Sequence, residues 1–284
     1  MKNIFYYILT FLLLLVASHT HAQIITTFAG GGTGGDGGPA VDCELYLPYG
    51  MAIDAAGNVY IADEYGYRVH KVDVAGIITT FAGTGVAGFS GDDSAATVAM
   101  LSHPVGVAVD AAGNVYISDN GNNRIRMVNT AGIITTFAGT GVVGYHGDDS
   151  AATAAEFHFP AGIAIDGSGN LYICDVNNSR IRKVNTSGII TTIAGTGVPG
   201  VTSDGEPATA TDIDMPNGIT VDAAGNIFFT DFSVGVYKIN TSGIISTIAG
   251  AAASGYNGDN RPATTAELNG PIGIAVDGDG NIYS

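Results

Sequence analysis

Three aromatic residues in this chain are each followed, three positions later, by an aspartate, and this pairing could bind a sugar or a protein. The aromatic ring offers a flat apolar surface for stacking, while the carboxylate accepts hydrogen bonds. The pairs occupy matching positions in three similar segments, and we treat them as candidate binding residues: Phe89 with Asp92, Tyr145 with Asp148, and Tyr256 with Asp259. The alternative is that each ring fills a gap within the fold, in which case the pairing is structural.

A second charged pattern places an arginine five residues after an aspartate that ends a short apolar run. An aspartate and an arginine on either side of a tight hairpin are close enough for a bidentate ion pair. The pattern recurs almost unchanged, whereas a catalytic site needs a single constellation, so we interpret these residues as structural. They are Asp63 with Arg68, Asp119 with Arg124, Asp175 with Arg180, and Asp231, whose copy of the pattern lacks the arginine.

Other chemical motifs are weaker. Gly83–Gly88 fits the G-x-G-x-x-G pattern of dinucleotide-binding loops, but that pattern needs a crossover helix, and here it recurs among strand-like runs. Asp277–Asn281 resembles the start of a calcium loop, yet Ile282 stands where a glycine is expected. His103 and His158 have no third histidine in matching positions, and zinc normally takes three or four converging ligands. We therefore expect no cofactor and no metal.

All of these residues lie within a sequence unit that repeats at a nearly constant interval. One aspartate marks each copy, and the markers Asp54, Asp110, Asp166, Asp222 and Asp277 are 56, 56, 56 and 55 residues apart. A single copy, at residues 104–139, contains four short apolar runs separated by turn residues: Val105–Val109, Asn114–Ser118, Arg124–Val128 and Ile133–Phe137. Connections this short and rich in Gly and Asn predict antiparallel strands, named a to d here, and a closed array of such units.

Three motifs recur in register with this repeat. They read Pro-x-Gly-[Ile/Val]-Ala-[Val/Ile]-Asp, Gly-Asn-[Val/Leu/Ile]-Tyr-Ile and Asn-x-Arg-Ile-Arg-[Lys/Met]-Val, and they cover essentially all of residues 24–284. In this respect the chain resembles the NHL-repeat family. The resemblance implies an all-β fold, a β-propeller of four-stranded antiparallel blades, usually six in number. It also leaves an enzymatic function open, because some propellers of this superfamily are lyases or lactonases.

The repeat predicts four complete blades plus partial ones. Ile24–Phe28 repeats the strand d motif and is expected to form the outer strand of the last blade. The fifth copy stops at Ser284, after its strand b, so we expect its partner strands to lie beyond this residue.

Long loops join strand d of one copy to strand a of the next, at residues 84–103, 140–159, 196–215 and 251–270. Loops of this length usually have a function or a structure of their own. Stretches such as Ala95–Leu101 predict about two helical turns, and the meander predicts that the long loops and the b–c turns share one face.

Residues 1–22 have the features of a cleaved signal peptide. Lys2 precedes the apolar run Ile4–Ala17, which is too short to span a bilayer of roughly 30 Å, and Ala22 is the expected last residue removed. We therefore expect residues 23–284 to form a propeller that is secreted, periplasmic or at the cell surface, without membrane insertion after cleavage.

The charge balance limits the classes of partner that this chain is expected to bind. The chain has 26 acidic and 10 basic residues, a net charge of −16, and this opposes binding to the phosphates of nucleic acids. We favour an interaction module that binds a protein or a glycan through the long-loop face. Two alternatives remain open: a propeller enzyme with an axial site, which we favour less, and a purely structural repeat region of a larger surface protein.

Overall fold

A computed structural model describes residues 25–200, 203–232, 235–251 and 253–284. The predicted signal peptide at residues 1–22 and the first residue of the predicted strand at Ile24–Phe28 lie outside these ranges. Within the described residues the regular structure consists of β-strands and three-residue 3-10 turns. None of these helical turns has the length needed to cross a membrane.

The described strands form four complete antiparallel blades and one two-stranded sheet, as the repeat predicts. Each blade follows the order a-b-c-d, and blades 2 and 3 gain a short fifth strand beside strand d. Blade 1 contains β1 (Pro48–Ile53), β2 (Val59–Asp63), β3 (Arg68–Val72) and β4 (Ile78–Ala82). Blade 2 contains β5 (Ser94–Ala95), β6 (Pro104–Val109), β7 (Val115–Asp119), β8 (Arg124–Val128) and β9 (Ile133–Ala138). Blade 3 contains β10 (Ser150–Ala151), β11 (Pro160–Ile165), β12 (Leu171–Asp175), β13 (Arg180–Val184) and β14 (Ile189–Ala194). Blade 4 contains β15 (Pro216–Val221), β16 (Ile227–Asp231), β17 (Gly235–Ile239) and β18 (Ile245–Ala249), and the last sheet pairs β19 (Ala275–Val276) with β20 (Ile282–Tyr283).

The aspartate that marks each repeat closes the a–b hairpin. In blade 1, the Asp54 carboxylate accepts hydrogen bonds from the backbone N–H groups of Ala56 and Asn58, both at 2.9 Å. Gly57 takes a positive φ of 87°, which glycine adopts without steric cost. This Asx-type turn needs Asp, Gly and Asn at fixed offsets, which explains why these residues keep the period of the repeat.

The apolar core lies between neighbouring blades. One cluster combines Ala62 and Val69 of blade 1 with Val107 and Ile117 of blade 2, and equivalent clusters join blades 2 and 3 and blades 3 and 4. Cys174 is fully buried in the third cluster. Both cysteines of the chain are free thiols, so the blades are held by packing and hydrogen bonds.

Neighbouring inner strands approach so closely that one position of strand a accommodates only glycine. A Cβ atom built on Gly162 would lie 2.1 Å from the carbonyl oxygen of Asn217 in the next blade. The same conflict occurs at Gly106, where the carbonyl oxygen of Ala161 lies 2.3 Å away and also accepts a 2.5 Å hydrogen bond from Ser118. These glycines set the blade-to-blade spacing at the axis.

The long loops tie one blade to the next. The two helical turns predicted at Ala95–Leu101 are not formed there. In the loop between blades 1 and 2, Ser94–Ala95 pairs with β9, and only Ala96–Val98 forms a 3-10 turn. The Ala96 carbonyl accepts from Gly83 at the end of blade 1, while its N–H donates to Gly132 in blade 2. Because both sheets engage its backbone, this segment is stretched between them and cannot form a longer helix.

The predicted strand at Ile24–Phe28 is not formed in its described part. Residues 25–28 have no regular secondary structure, and the side chains of Ile25 and Phe28 are 96% and 55% exposed. A strand requires a neighbour that completes its hydrogen bonds, and among the described residues no strand pairs with this segment.

Candidate binding face

The buried aspartate at the end of each strand b fixes the chain where the long loop enters strand a. The carboxylate of Asp119 is fully buried and accepts hydrogen bonds from the backbone N–H of Ser102 (2.7 Å) and the side chain of Asn122 (2.9 Å). Asp175 makes the same contacts with His158 and Asn178. Asp63 and Asp231 accept the equivalent backbone bonds, from Tyr46 and Asp214. All four aspartates therefore lie inside the framework that carries the loops.

In blades 2 and 3, the arginine that pairs with the buried aspartate is not the predicted one. In blade 2, Arg126 contacts Asp119 (3.4 Å), whereas Arg124 donates to the backbone carbonyls of Asn122 and Thr140. Blade 3 repeats this arrangement with Arg182 and Arg180, and in blade 1 the guanidinium of Arg68 donates to the carbonyl of Thr84. Arg126 and Arg182 are fully buried and need a carboxylate in place of water, while the partly exposed first arginine of each strand reaches the loop backbone.

The buried arginine also binds the loop carboxylate that the sequence suggested for ligand binding. Arg126 donates to Asp92 (2.7 Å) in addition to Asp119, and Arg182 donates to Asp148 (2.8 Å) in addition to Asp175. Asp92 accepts a further hydrogen bond from Thr136 (2.7 Å). In blade 1, His70 lies between Asp63 (3.4 Å) and Asp36 (3.9 Å) in the corresponding way. These loop acids therefore hold the loop against the next blade.

Burial raises the pKa of Asp119 and of Asp175 to about 6, although hydrogen bonds and the nearby arginine act in the opposite direction. A raised carboxyl pKa in an open cleft can indicate an acid–base catalyst. Here both side chains are fully buried, and no substrate reaches them. The raised pKa is therefore a consequence of the framework.

Two of the predicted aromatic residues, Phe89 and Tyr145, lie beside the b–c turns and are partly covered by arginines. The Phe89 ring is 40% exposed, with the guanidinium carbons of Arg124 and Arg126 at 3.8 Å and 4.8 Å from its centre. Tyr145 is 50% exposed and lies 4.2 Å from the guanidinium carbon of Arg180. Tyr256 is 77% exposed, and the Asp259 side chain that follows it is also exposed. We call this end of the propeller, with the b–c turns and the adjacent loop segments, the b–c face.

An aromatic cluster that the recurring motifs did not predict occupies the b–c face of blade 1. The turn Glu64–Tyr67 carries two tyrosines, and the His103 ring makes edge contacts with both, at 5.1 Å to Tyr65 and 5.3 Å to Tyr67. His103 Nδ1 lies 3.5 Å from the Glu64 carboxylate. Tyr65 also donates its backbone N–H to the carbonyl of Tyr46, and the side chains of these two residues are 53% and 54% exposed. We call these residues the blade 1 cluster.

The other blades show that the fold does not require the blade 1 cluster. At the positions of Glu64 to Tyr67, blade 2 has Asn-Gly-Asn-Asn and blade 3 has Val-Asn-Asn-Ser. Tyr67 has a left-handed φ of 51°, where blades 2 and 3 have Asn123 and Ser179. Asparagine tolerates this conformation, whereas for a bulky side chain it is a strained outlier. Strained residues of this kind concentrate at functional sites, so the cluster is the leading candidate site.

An axial cavity of about 690 Å³ lies between the inner strands of the blades. Its wall is formed mainly by glycine and aliphatic residues of the inner strands, such as Val105, Gly162 and Ile219. Tyr49, Asn217, Tyr283 and Ser284 are polar exceptions, and the Tyr49 hydroxyl donates to the Asn217 side chain (3.0 Å) across 168 residues of sequence. The cavity could accept an apolar group.

His103 and His158 lie in different surroundings. His103 belongs to the blade 1 cluster, whereas the His158 ring stacks on Phe159 at 5.2 Å and lies 3.4 Å from the Asn177 side chain. In the described ranges, no group of three or more His, Cys, Asp or Glu residues is arranged to hold a metal ion.

One signal in the sequence could have identified the cluster. Aligning the copies by their marker aspartates shows tyrosine at positions 46, 49, 65 and 67 where other copies have mainly small, amide or aliphatic residues. The aromatics predicted to bind are instead those that recur, namely Phe89, Tyr145 and Tyr256. In a repeat protein the recurring residues build the framework, so the departures from the repeat are more informative about function.

Known proteins that resemble this chain support the assignment of a propeller fold. The model of the Teneurin NHL domain matches three overlapping stretches, residues 28–88, 87–146 and 143–203. Teneurin-3 of Mus musculus is 33% identical over 178 residues, which cover 57% of this chain and 6% of Teneurin-3. The protein SUPPRESSOR OF QUENCHING 1, chloroplastic, of Arabidopsis thaliana is 34% identical over 98 residues, which cover 34% of this chain and 9% of the plant protein. The chain thus spans less than a tenth of the length of either relative.

A solved streptogramin B lyase structure superimposes with a TM-score of 0.52 and 18% identity, covering 83% of this chain and 60% of the lyase. At this identity the likeness shows a shared propeller fold. The Teneurin NHL matches extend over residues 28–203, more than half of the chain. Together with the blade architecture, they show that the chain belongs to the NHL-repeat family of β-propellers.

Proposed function

We propose that this propeller is an interaction module that binds a protein or a glycan through the b–c face. The observation that carries the proposal is the blade 1 cluster, in which Tyr46 and Tyr65 are more than half exposed although blades 2 and 3 fold without tyrosines at these positions. Exposed tyrosines provide a large, rigid contact area with a polar end, and they are frequent among the residues that dominate binding energy.

The recurring aromatics extend the same face. Phe89 and Tyr145 keep 40% and 50% of their surface exposed beside the b–c turns, and Tyr256, at the matching position of a later loop, is 77% exposed, so they can flank a bound partner. Asp92 and Asp148 contribute indirectly, because their ion pairs with buried arginines fix the loop that carries each ring. Asp259 is exposed beside Tyr256 and is available for a direct contact.

The proposed location is outside the cytoplasm, in agreement with the signal-peptide pattern of residues 1–22. A secreted, periplasmic or cell-surface propeller would meet proteins and glycans as partners. The net charge of −16 opposes binding to nucleic acids and to anionic membrane surfaces.

We expect the double variant Tyr46→Ser and Tyr65→Gly to lose retention on an array of extracellular proteins and glycans. Serine and glycine are the residues of blade 2 at these positions, Ser102 and Gly121, so the framework should accept them. Each lost ring removes a contact worth about 1–2 kcal/mol or more at the centre of an interface. Retention and melting temperature would be measured on the same preparations.

Val74→Thr is the matched control for this measurement. Val74 is 75% exposed in the c–d turn of blade 1, and Thr130 is its equivalent in blade 2. Unchanged retention of the double variant at wild-type stability would contradict the proposal. If the wild-type chain is not retained by any array component, the purely structural alternative is favoured.

The axial cavity supports a second candidate function, an enzyme with its site at the axis. The cavity has a volume typical of small-molecule sites. However, its walls are mainly apolar, and Tyr49 and Asn217 hydrogen-bond to each other. This arrangement favours binding of an apolar group over proton transfer, and we therefore rank the enzyme second.

A further inference from the structure

We propose that the blade 1 cluster recognises a cationic group, namely a lysine or arginine side chain in a basic segment of a partner protein. This inference rests on the proposed function, because it names the chemistry that the b–c face would bind. It is carried by the combination of two exposed tyrosine rings, Tyr46 and Tyr65, with the partly buried carboxylate of Glu64.

The geometry provides both components of cation recognition. The faces of tyrosine rings attract ammonium and guanidinium groups, and Tyr65 and Tyr46 lie on adjacent segments joined by a backbone hydrogen bond. The Glu64 carboxylate precedes Tyr65 and contacts only an imidazole, that of His103; among the described residues it forms no ion pair with a lysine or arginine. A second carboxylate, that of Glu44, raises the pKa of the Tyr46 hydroxyl. A cation bound here would meet ring faces and negative charge together.

The recurring arginines show the same chemistry within the fold. Arg124 packs over the Phe89 ring at 3.8 Å, and Arg180 packs over Tyr145 at 4.2 Å, both beside a b–c turn. Arg68, which occupies this strand position in blade 1, makes the same kind of backbone bond as Arg124 and Arg180, to the Thr84 carbonyl, but packs over no aromatic ring of the described residues. No cation of the described residues lies over the ring of Tyr46, Tyr65 or Tyr67, in contrast to Phe89 and Tyr145. The blade 1 rings are therefore free to accept a guanidinium from another molecule.

The overall charge favours a basic protein over a neutral glycan. With 26 acidic against 10 basic residues, the propeller attracts basic segments at long range and accelerates their association. A neutral sugar could stack on the tyrosines, but it would gain nothing from the Glu64 charge. Glycan binding is therefore the alternative outcome of the test.

The test compares two capped peptides that differ only in charge, one of alternating glycine and arginine and the other with citrulline in place of arginine. Isothermal titration calorimetry with the 284-residue chain is done at low ionic strength, where exposed charges are least screened. We expect the arginine peptide to bind about tenfold more tightly than the citrulline peptide, as one desolvated cation–π contact with a carboxylate predicts.

Variants locate the binding on the cluster. Tyr65→Gly and Glu64→Gln are each expected to weaken binding of the arginine peptide about three- to tenfold, with little effect on the citrulline peptide. Asp279→Asn is the charge-matched control, because Asp279 is exposed in the a–b turn of the last hairpin. It should leave the affinity unchanged.

Equal affinities for the two peptides would overturn the inference, as would an equal loss in Asp279→Asn and Glu64→Gln, which would indicate general charge attraction. Retention of neutral glycans that depends on Tyr65, without preference for arginine, would identify the ligand as a glycan. In that case the proposed binding function would stand and only the cationic ligand would be rejected. Absence of any retention that depends on Tyr65 would instead reject the proposed function itself.

Discussion

Gly162→Ala is expected to lower the melting temperature by about 6–12 °C, corresponding to a loss of about 3 kcal/mol or more. The added Cβ would lie 2.1 Å from the carbonyl oxygen of Asn217 and 3.1 Å from the Cα of Gly218. These are backbone atoms of the neighbouring inner strand, so the conflict cannot be relieved by rotating a side chain. The two blades must move apart, which weakens the apolar cluster between them.

Gly167→Ala is the matched control, five residues away in the same blade. No atom lies within 4 Å of a Cβ built on Gly167, its φ is outside the positive region, and the equivalent residues of other blades are Ala55 and Ala111. Its melting temperature should equal that of the wild type. Thermal unfolding followed by circular dichroism distinguishes the two variants, and equal melting temperatures for both would refute the proposed role of Gly162.

Arg126→Met is expected to destabilise the chain by about 3–5 kcal/mol, the typical cost of removing one partner from a buried ion pair. Arg126 is fully buried, and its loss leaves the carboxylate of Asp119 in the interior without its cation. It also removes one of the two contacts that hold the loop residue Asp92 against blade 2, the other being the hydrogen bond from Thr136. Urea unfolding would measure the loss, and it would also show whether the loop is released before the blades unfold.

Arg124→Met tests whether the correct arginine has been identified. Arg124 lies two residues earlier on the same strand, is partly exposed, and donates only to backbone carbonyls in the structure. We expect it to cost about 1 kcal/mol, within the range of ordinary partly exposed hydrogen bonds. Adding Asp119→Asn to Arg126→Met should recover part of the lost stability, because the double variant no longer buries an unpaired charge. A larger loss for Arg124→Met than for Arg126→Met would contradict the structure.

The repeat made the blades predictable to within about one residue. Strand c of blade 2 was predicted at Arg124–Val128 and is found there, and the strand predicted at Ile133–Phe137 extends to Ala138. This accuracy has a physical basis, because the Asp-x-x-Gly-Asn turn ends strand a, and a similar turn at Asn129 ends strand c of blade 2, by local hydrogen bonds. Local chemistry of this kind is encoded in short sequence stretches.

The contacts between blades were less predictable. Asp119 lies directly opposite Arg124 in the strand register, yet it contacts Arg126. Which arginine is buried depends on the loop that covers it, and the position of Asp92 becomes known only when the loop path is known. The 3-10 turn at Ala96–Val98 has the same origin, since hydrogen bonds to two different sheets decide its conformation.

The candidate site could be recognised only by separating recurring from unique residues. Phe89 and Tyr145 were predicted to bind a partner because they recur. In the structure, an arginine of the framework packs over each of these rings. Tyr65 and Tyr67 occur in one blade only, and the backbone strain at Tyr67 becomes visible only in three dimensions. Uniqueness within the repeat is therefore the better guide to function in this fold.

The most direct test of binding by the blade 1 cluster exchanges the whole turn Glu64–Tyr67 for the Asn-Gly-Asn-Asn turn of blade 2. The two turns have equal length and the same left-handed conformation at their last residue, 51° at Tyr67 and 52° at Asn123. Retention on the protein and glycan array and the melting temperature would be measured on one preparation. We predict that retention is lost while the melting temperature stays within about 2–4 °C of the wild type, equivalent to about 1 kcal/mol. Retention equal to that of the wild type, or a chain that no longer folds, would contradict the assignment of this turn to binding.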